Sequence, residues 1–519
     1  MKKTTHFIMI VCILFALHTN AQTPDAGNIL YVNVNVSGGT GTGNSWANAI
    51  PQLANALKYA RTQHDANSTV YDTNPLKIYV AKGTYKPLYN AADGSYTTDG
   101  MRDNAFVMVK NVQLYGGFDP TNGIDDLTDT RNYTNTILSG DIGTAGTATD
   151  NTYHVVIASA DVGTALLDGF TVTGGYSASS DNTTISVNSN PLARYSGGGM
   201  SNYSSSPAVD NCTFAGNTAP YGGGMLNYSS SSPSIANCSF TANTAGNGGG
   251  MFNISSSPTI THCSFTTNTA GDAGGGMYNY SFSSSVITNC SFTTNAAGDA
   301  GGGMFNYSSS SIITNTTIAR NSGSSGFFDN SSSIVILQNS IVWDVVEGNY
   351  AASYSLMKGA SDTTDGNIDA GSLAATDIFT DYDNGDYAPK ATSPAVDAGN
   401  NALYVSAGGS LSADTDLAGN LRVYNSVIDM GAYEYPGILS VPSAPGNKSR
   451  MVYPNPVKGM LNFSEEVYDV RIADLSGRVV KQAATSGKSV NVAGLAKGIY
   501  VVTAVAKSGE VVTKKIEKE

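Results

Sequence analysis

The chain has 519 residues, of which only 13% are charged, against roughly a quarter in an ordinary globular protein. A formal net charge of −13 excludes the basic surface that nucleic-acid binding requires, and 41% hydrophobic content excludes a disordered chain. Gly, Ser, Thr and Asn fill much of the remainder, and 29 Tyr stand against 2 Trp.

Residues 1–21 read as a secretory signal peptide: Lys2 and Lys3, an apolar run from Phe7 to Leu17, then Thr19, Asn20 and Ala21 as a cleavage site. Cys12 follows Val11 inside the apolar run, where a lipid-attachment site would want a small residue. No later stretch reaches the roughly 18 apolar residues that span a bilayer, so the expected mature chain is exported without a transmembrane segment. Without the two signal lysines, 25 basic residues face 40 acidic ones. Residues 22–75 are expected to form an N-terminal cap and a first rung. Within them Ile50, Leu53, Ala54, Leu57 and Ala60 fall at helical spacing after Asn48, which predicts a short amphipathic cap helix.

From 76 to 345 the chain repeats itself, most regularly over 197–321. A Gly-Gly-Gly-Met unit ends at Met200, Met225, Met251, Met277 and Met304, in steps of 25, 26, 26 and 27 residues. Cys212, Cys238, Cys263 and Cys290 keep that step, as do Phe214, Phe240, Phe265 and Phe292, and Asn217, Asn243, Asn268, Asn295 and Asn321. Four columns at one period of about 26 mark a solenoid. Within a unit, alternation lasts two to four residues and then breaks parity: Cys263 and Phe265 share a face, but Ile260 falls out of step across His262. That position, filled elsewhere by Asn211, Asn237, Asn289 and Asn315, is an expected corner. Asparagine tolerates left-handed backbone and can bond its equivalent one rung away. Short strands, corners and a fixed period predict an all-β fold, a parallel β-helix of about 26 residues per rung with equivalent residues about 4.8 Å apart. Less regular rungs run through 111–119, 136–142 and 166–175 upstream, and 333–343 downstream.

Residues 346–435 read as a C-terminal cap region, marked by SPAVDAGN, TDLAGNLR and IDMGAYEY. Open ends of a stack would otherwise template aggregation. Residues 436–450 form a Pro, Gly and Ser-rich linker. The last block, 451–519, carries 10 basic and 7 acidic residues against 15 and 33 in 22–450. Its apolar alternation between turn signals predicts a small antiparallel β-sandwich.

The unit NCSFTTNAAGDAGGGMFN (289–306) resembles the repeats of polymorphic outer membrane proteins and of surface proteins of Bacteroidetes, within the secreted right-handed β-helix proteins of the pectin lyase-like class. That resemblance covers roughly 28–345 and implies a right-handed coil. It leaves function open, because the fold carries lyases, hydrolases, adhesins and spacers. VYPNP (452–456), DLSGR (474–478) and the GIY of 498–500 resemble the C-terminal sorting domain of the type IX (Por) secretion system. This implies a partnership with that machinery, passage through the outer membrane, and a cell-surface or released protein. Residues 514–519 depart from the pattern.

Chemistry has little to work with in the regular rungs. Between Arg194 and Arg320 there is no Lys or Arg, and the acids are Asp210, Asp272 and Asp299. Asp272 and Asp299 sit one rung apart, a spacing that paired carboxylates for glycoside hydrolysis could meet, but the favoured reading is two solvated turn aspartates. The enzymatic alternative, a polysaccharide lyase or glycoside hydrolase, would rest on the irregular rungs with Asp119, Asp125, Asp126, Asp141 or His154. The cysteine column of an exported chain invites disulfides, yet in-register neighbours have parallel Cβ vectors, so stacked buried thiols are expected. No cofactor is expected, with Ca²⁺ at Asp381, Asp383 and Asp386 as the one metal reading. Asp397, Asp414, Asp416 and Asp429 add further carboxylates to that segment. If Met and the second residue after it point inward, Leu226, Tyr228, Phe252, Ile254, Tyr278, Tyr280, Phe305 and Tyr307 form an outward apolar stripe. Such a stripe suits a glycan, or a host- or cell-surface ligand. The leading expectation is therefore a non-enzymatic adhesin or glycan-contacting structural protein.

Overall fold

The computed structural model describes residues 21–435 and 452–519, apart from 94, 96, 99–100, 179–181, 330–333, 360–362, 454–455, 475–477, 484–486 and 507–510. Almost all of the expected signal segment and the 436–450 linker lie outside the described residues. The chain forms two compact units, Met1–Pro436 and Gly437–Glu519.

One rung shows how the first unit is made. Thr259–Thr261 lies in a first sheet, Ser264–Thr266 in a second, Thr269–Ala270 in a short strip, and Met277–Tyr280 in a third sheet, before Val286–Thr288 returns to the first. Left-handed residues turn the corners between sheets: His262 (φ 53°), Thr267 (56°) and Ser281 (55°). Asn211, Asn237, Asn289 and Asn315 occupy the His262 place with φ between 46° and 53°. Before the third sheet the chain passes under the next rung so closely that a Cβ on Gly249 would lie 2.5 Å from the Gly275 carbonyl oxygen. Only glycine fits there.

Every rung pairs in parallel with the next, in register. The first sheet holds eleven strands from Ile29–Val32 to Tyr350–Ser353. The second holds eleven from Gly83–Tyr85 to Ile368–Asp369, and the third nine from Phe106–Val107 to Val346–Glu347. Register sets like on like: Met225, Met251, Met277 and Met304 are successive partners, as are Phe214, Phe240, Phe265 and Phe292. The phenylalanine rings form a core stack, with centroids 4.9, 4.7 and 4.5 Å apart and planes within 6° of parallel. The cysteines stack beside them, buried and unbridged, the peptide N–H groups of Cys212, Cys238 and Cys263 each reaching the next sulfur at 3.4 Å. Burial pushes the Cys238 and Cys290 thiols up.

Two buried asparagine ladders fix the register. Asn217, Asn243, Asn268, Asn295 and Asn321 each donate to the next side chain at 2.9–3.0 Å, ending on Asp344 at 2.7 Å. Asn202, Asn227, Asn253 and Asn279 do the same in the third sheet at 2.8–2.9 Å, ending on the side-chain oxygen of Asn306. The corner asparagines mostly do not, contrary to expectation: Asn211 donates to Asp168, Asn237 to Asp210, Asn289 to the Tyr404 hydroxyl and Asn315 to the Asp429 carbonyl. Asn211 and Asn237 thus bond to an aspartate of the preceding rung, while Asn289 and Asn315 meet the segment that follows the rungs. Corner-to-corner contact is limited, among the described residues, to Asn339 on Asn315 (3.1 Å) and Asn289 near His262 (3.4 Å).

Helix α1, Leu53–Ala66, buries Leu53, Ala54, Ala56, Leu57 and Ala60 against the first strands. Ile50 is buried as well but precedes the helix, bridging to Val32. Parallel stacking continues past 345 to Ile368–Asp369, so the rungs overrun the boundary expected from sequence. The rest of the expected cap region forms a strap along the corners, not only an end plug. Asn400 exchanges bonds with Asn339 (2.8 and 2.9 Å), and Thr415 O meets His262 Nε2 at 2.6 Å. The strap is closed by a fully buried contact between Arg422 and the carboxyl of Glu434, at 3.2 Å.

The second unit is antiparallel. Its 14-residue strand Met460–Ala473 pairs through one half with Gly487–Asn491 and Val452–Tyr453, and through the other with Val479–Ala483 and Gly498–Ala506. Register breaks along it fold the sheet over a core of Leu461, Phe463, Val470, Ile472, Val502 and Ile516.

Candidate ligand groove

The third sheet decides which side chains face out. In each four-residue strand Met and the second residue after it are buried, as Met277 and Asn279 are, pinned by the methionine stack and the asparagine ladder. Alternation then sends the other two positions outward. One outward column runs Leu226, Phe252, Tyr278 and Phe305; the other runs Tyr203, Tyr228, Ile254, Tyr280 and Tyr307. Phe252 is nearly covered by its neighbours, at 3% exposure, and Tyr278 and Phe305 are half-buried. Tyr228, Tyr280 and Tyr307 stand 39–40% exposed.

The six aromatic residues expected from sequence therefore lie side by side on one surface. Phe252 and Tyr278 are 4.9 Å apart, Tyr278 and Phe305 meet edge to face at 4.8 Å, and Tyr280 stacks on Tyr307 at 5.5 Å. As far as Tyr278 and Tyr280 the columns form the floor of a groove of about 590 Å³, and Phe305 and Tyr307 continue the surface one rung beyond it. That volume is within the range of small-ligand sites.

One wall has no counterpart in the repeat pattern. Residues Thr184–Val187 and Asn190–Ala193 form an antiparallel hairpin that rises from the rung and lays Thr184, Pro191 and Ala193 along the groove. Ile185, Val187 and Leu192 bury its other side against Ile157. Asn188 and Ser189, both left-handed, make its turn, and their N–H groups donate to Asp93 at 2.7 Å. Arg194 holds the base through two bonds of 2.7 Å to Asp103. The alternation of Ile185 and Val187 ahead of Asn188 and Ser189 was the signal available in the sequence. Tyr195 and Tyr221 add a further aromatic pair to the wall, 5.9 Å apart.

Among the described residues, no charged side chain lines this groove. Burial, reinforced by Tyr280 and Tyr307, pushes the Tyr278 phenol up to about 12, so it stays a neutral hydrogen-bond donor at physiological pH.

None of the carboxylates considered for catalysis lines this groove. Lys82 donates to Asp119 at 2.7 Å, and with Asn122 and Thr121 brings that carboxyl down to about 2. Asp125 and Asp126 both donate their peptide N–H to Asp129, and Asp126 accepts from Thr128. Asp141 accepts from Gly146 N. His154 is buried with Nδ1 3.0 Å from Gly197 O, and burial brings it down to about 4, which keeps the ring neutral. Asp272 and Asp299 sit exposed in consecutive turns, Asp272 accepting from Asn247 at 3.1 Å. Asp381 caps a single helical turn by accepting from Asn384, Asp386 lies opposite it and accepts from Ala388 N, and Asp383 is exposed. Among the described residues, no three His, Cys, Asp or Glu side chains converge as metal ligands would.

Comparison with known families agrees with this geometry. Residues 127–284 match the family model described as right handed beta helix region, and residues 451–519 match the secretion system C-terminal sorting domain. The body is a right-handed parallel β-helix. Its C-terminal unit is a type IX sorting domain, which directs the protein to the cell surface or the extracellular space. No curated protein and no solved structure matches the chain. No helix among the described residues is long and apolar enough to cross a membrane.

Proposed function

We propose that this protein is a surface-displayed adhesin or structural protein that holds a glycan in the third-sheet groove without cleaving it. The observation behind the reading is the pair of outward columns in which Tyr228 and Tyr280 remain exposed beside a floor of Phe252 and Tyr278, with Tyr307 and Phe305 extending the same surface one rung further. Aromatic surface with hydroxyl tips is the chemistry that meets sugar rings, which present C–H faces and hydroxyl edges. Non-cleaving action fits the same site, because no described carboxylate, imidazole or amine lines it and general acid–base catalysis needs such groups within hydrogen-bond reach.

The test is to incubate the purified protein with a panel of polysaccharides and follow both retention and new reducing or unsaturated ends. Retention without new ends is expected. Accumulation of cleaved products would replace this reading with an enzymatic one.

A further inference from the structure

We infer that the groove selects a neutral, linear polysaccharide lying along the stacking axis, and that acidic glycans are refused. The inference rests on the glycan reading and narrows it to one chemical class.

Charge carries the first step. Among the described residues the groove has no ionic lining, and no Lys or Arg occurs between Arg194 and Arg320. The charges nearest in sequence to its floor are negative: Asn247, which lines the groove, donates to Asp272 at 3.1 Å, and Asp299 follows in the next turn. A uronate or sulfate placed here would lose hydration against apolar rings, meet the negative charge of Asp272, and find the cation at the base of the wall, Arg194, already held by Asp103 through two bonds of 2.7 Å. A neutral sugar loses only hydroxyl hydration, which phenol and amide groups replace.

Shape carries the second. Both columns run parallel to the axis, and the in-register floor from Leu226 to Phe305 is about 15 Å long at one strand spacing per rung. The hairpin strands lie along the upstream part of this surface, while Phe305 and Tyr307 continue it downstream. Each rung offers equivalent positions, so a polymer with its own repeat can meet the same kind of contact several times. A globular ligand would meet them once. Affinity should therefore rise with oligosaccharide length until the floor is filled, then level off.

The test uses the full chain against immobilised neutral glycans (β-glucan, mannan, galactan) and acidic ones (polygalacturonate, alginate), at low and high salt, beside a Tyr280→Ala/Tyr307→Ala variant shown by thermal melting to be folded. Expected is retention of at least one neutral polymer, insensitive to salt and weakened about tenfold or more in the variant, as loss of two aromatic contacts implies. Retention of acidic but not neutral polymers would overturn the neutral assignment and leave the glycan reading standing. No retention of any polymer, or retention unchanged in the variant, would overturn both. So would self-association in sedimentation that the variant abolishes, which would make a second copy the occupant.

Discussion

The inner phenylalanine column and the outer aromatic columns share one rung spacing, yet they pack differently. Inside, the rings stack within 6° of parallel. Outside, successive rings meet at angles from 28° to 90°. The in-register ladder imposes the same repeat on both, so it cannot be the cause of the difference. Surroundings are: the inner ring has neighbours on all sides, like ones along its column, and one orientation that fills the space, whereas the outer rings have varied neighbours along their columns, from the covered Phe252 to Tyr280 and Tyr307 with water on one side. The inner column specifies the register, and the outer columns inherit its spacing while keeping rotational freedom a ligand can use.

The comparison would break most visibly at Phe265. Its replacement by Ala should cost about 3–5 kcal/mol in denaturant unfolding, because the cavity opens between two stacked rings in a close-packed core. If Tyr280→Ala cost as much, the distinction between the columns would fail. The Asn268→Ala change should come next. It removes the acceptor for both the Asn243 side chain (2.9 Å) and its peptide N–H (3.1 Å), and the donor to Phe240 O (2.8 Å). Stranding such buried groups costs about 1–3 kcal/mol. Faster amide exchange at Asn243 than at distant rungs would locate the loss.

A third, smaller effect sharpens what burial does to charge. Under the strap, Arg422 is the cation beside the carboxyls of Glu434, Asp429 and Asp416. Burial is the largest influence on Glu434, which Arg422 draws down and Asp429 pushes up, leaving it at about 8 against an ordinary 4.5. Asp429 is raised to about 6, again chiefly by burial. A carboxyl raised on folding contributes stability that is complete below its unfolded value and is lost as pH climbs through its folded one. Thermal stability should therefore decline between about pH 5 and pH 8. Glu434→Gln should flatten that decline, and an unchanged slope would show that Glu434 does not titrate there.

The regular rungs were legible because their period is written four times over, in Met, Cys, Phe and Asn columns, and parallel in-register stacking turns sequence period directly into spatial contact. Outward parity followed from the same strands, so the positions of Tyr228, Phe252, Tyr278, Tyr280, Phe305 and Tyr307 could be derived. The groove itself could not. Its wall is a hairpin inserted once, at 184–193, and a single insertion has no period to reveal it. The strap was hidden for a related reason. Its contacts to His262, Asn289, Asn315 and Asn339 join residues more than 60 positions apart, largely through main-chain atoms that carry no sequence identity. The corner asparagines were recognised by backbone preference, which is local, while their partners are tertiary.

The smallest stability effect is the most discriminating. Tyr280 and Tyr307 are 39% and 40% exposed and stack at 5.5 Å, so a double-mutant cycle to Ala should return a coupling of about 1 kcal/mol or less. The same cycle on Phe265 and Phe292, fully buried and 4.5 Å apart, should return more, since the two cavities merge. Tyr280→Phe separates the two properties of the outer ring. It keeps the stack and should leave the melting temperature where it was, but it removes the hydroxyl of a residue that lines the groove. Glycan retention weakened by that change alone would mean the phenol edge is used in recognition. Retention preserved in Tyr280→Phe but lost in Tyr280→Ala would assign the contact to the ring itself, and so to the C–H surface of the sugar.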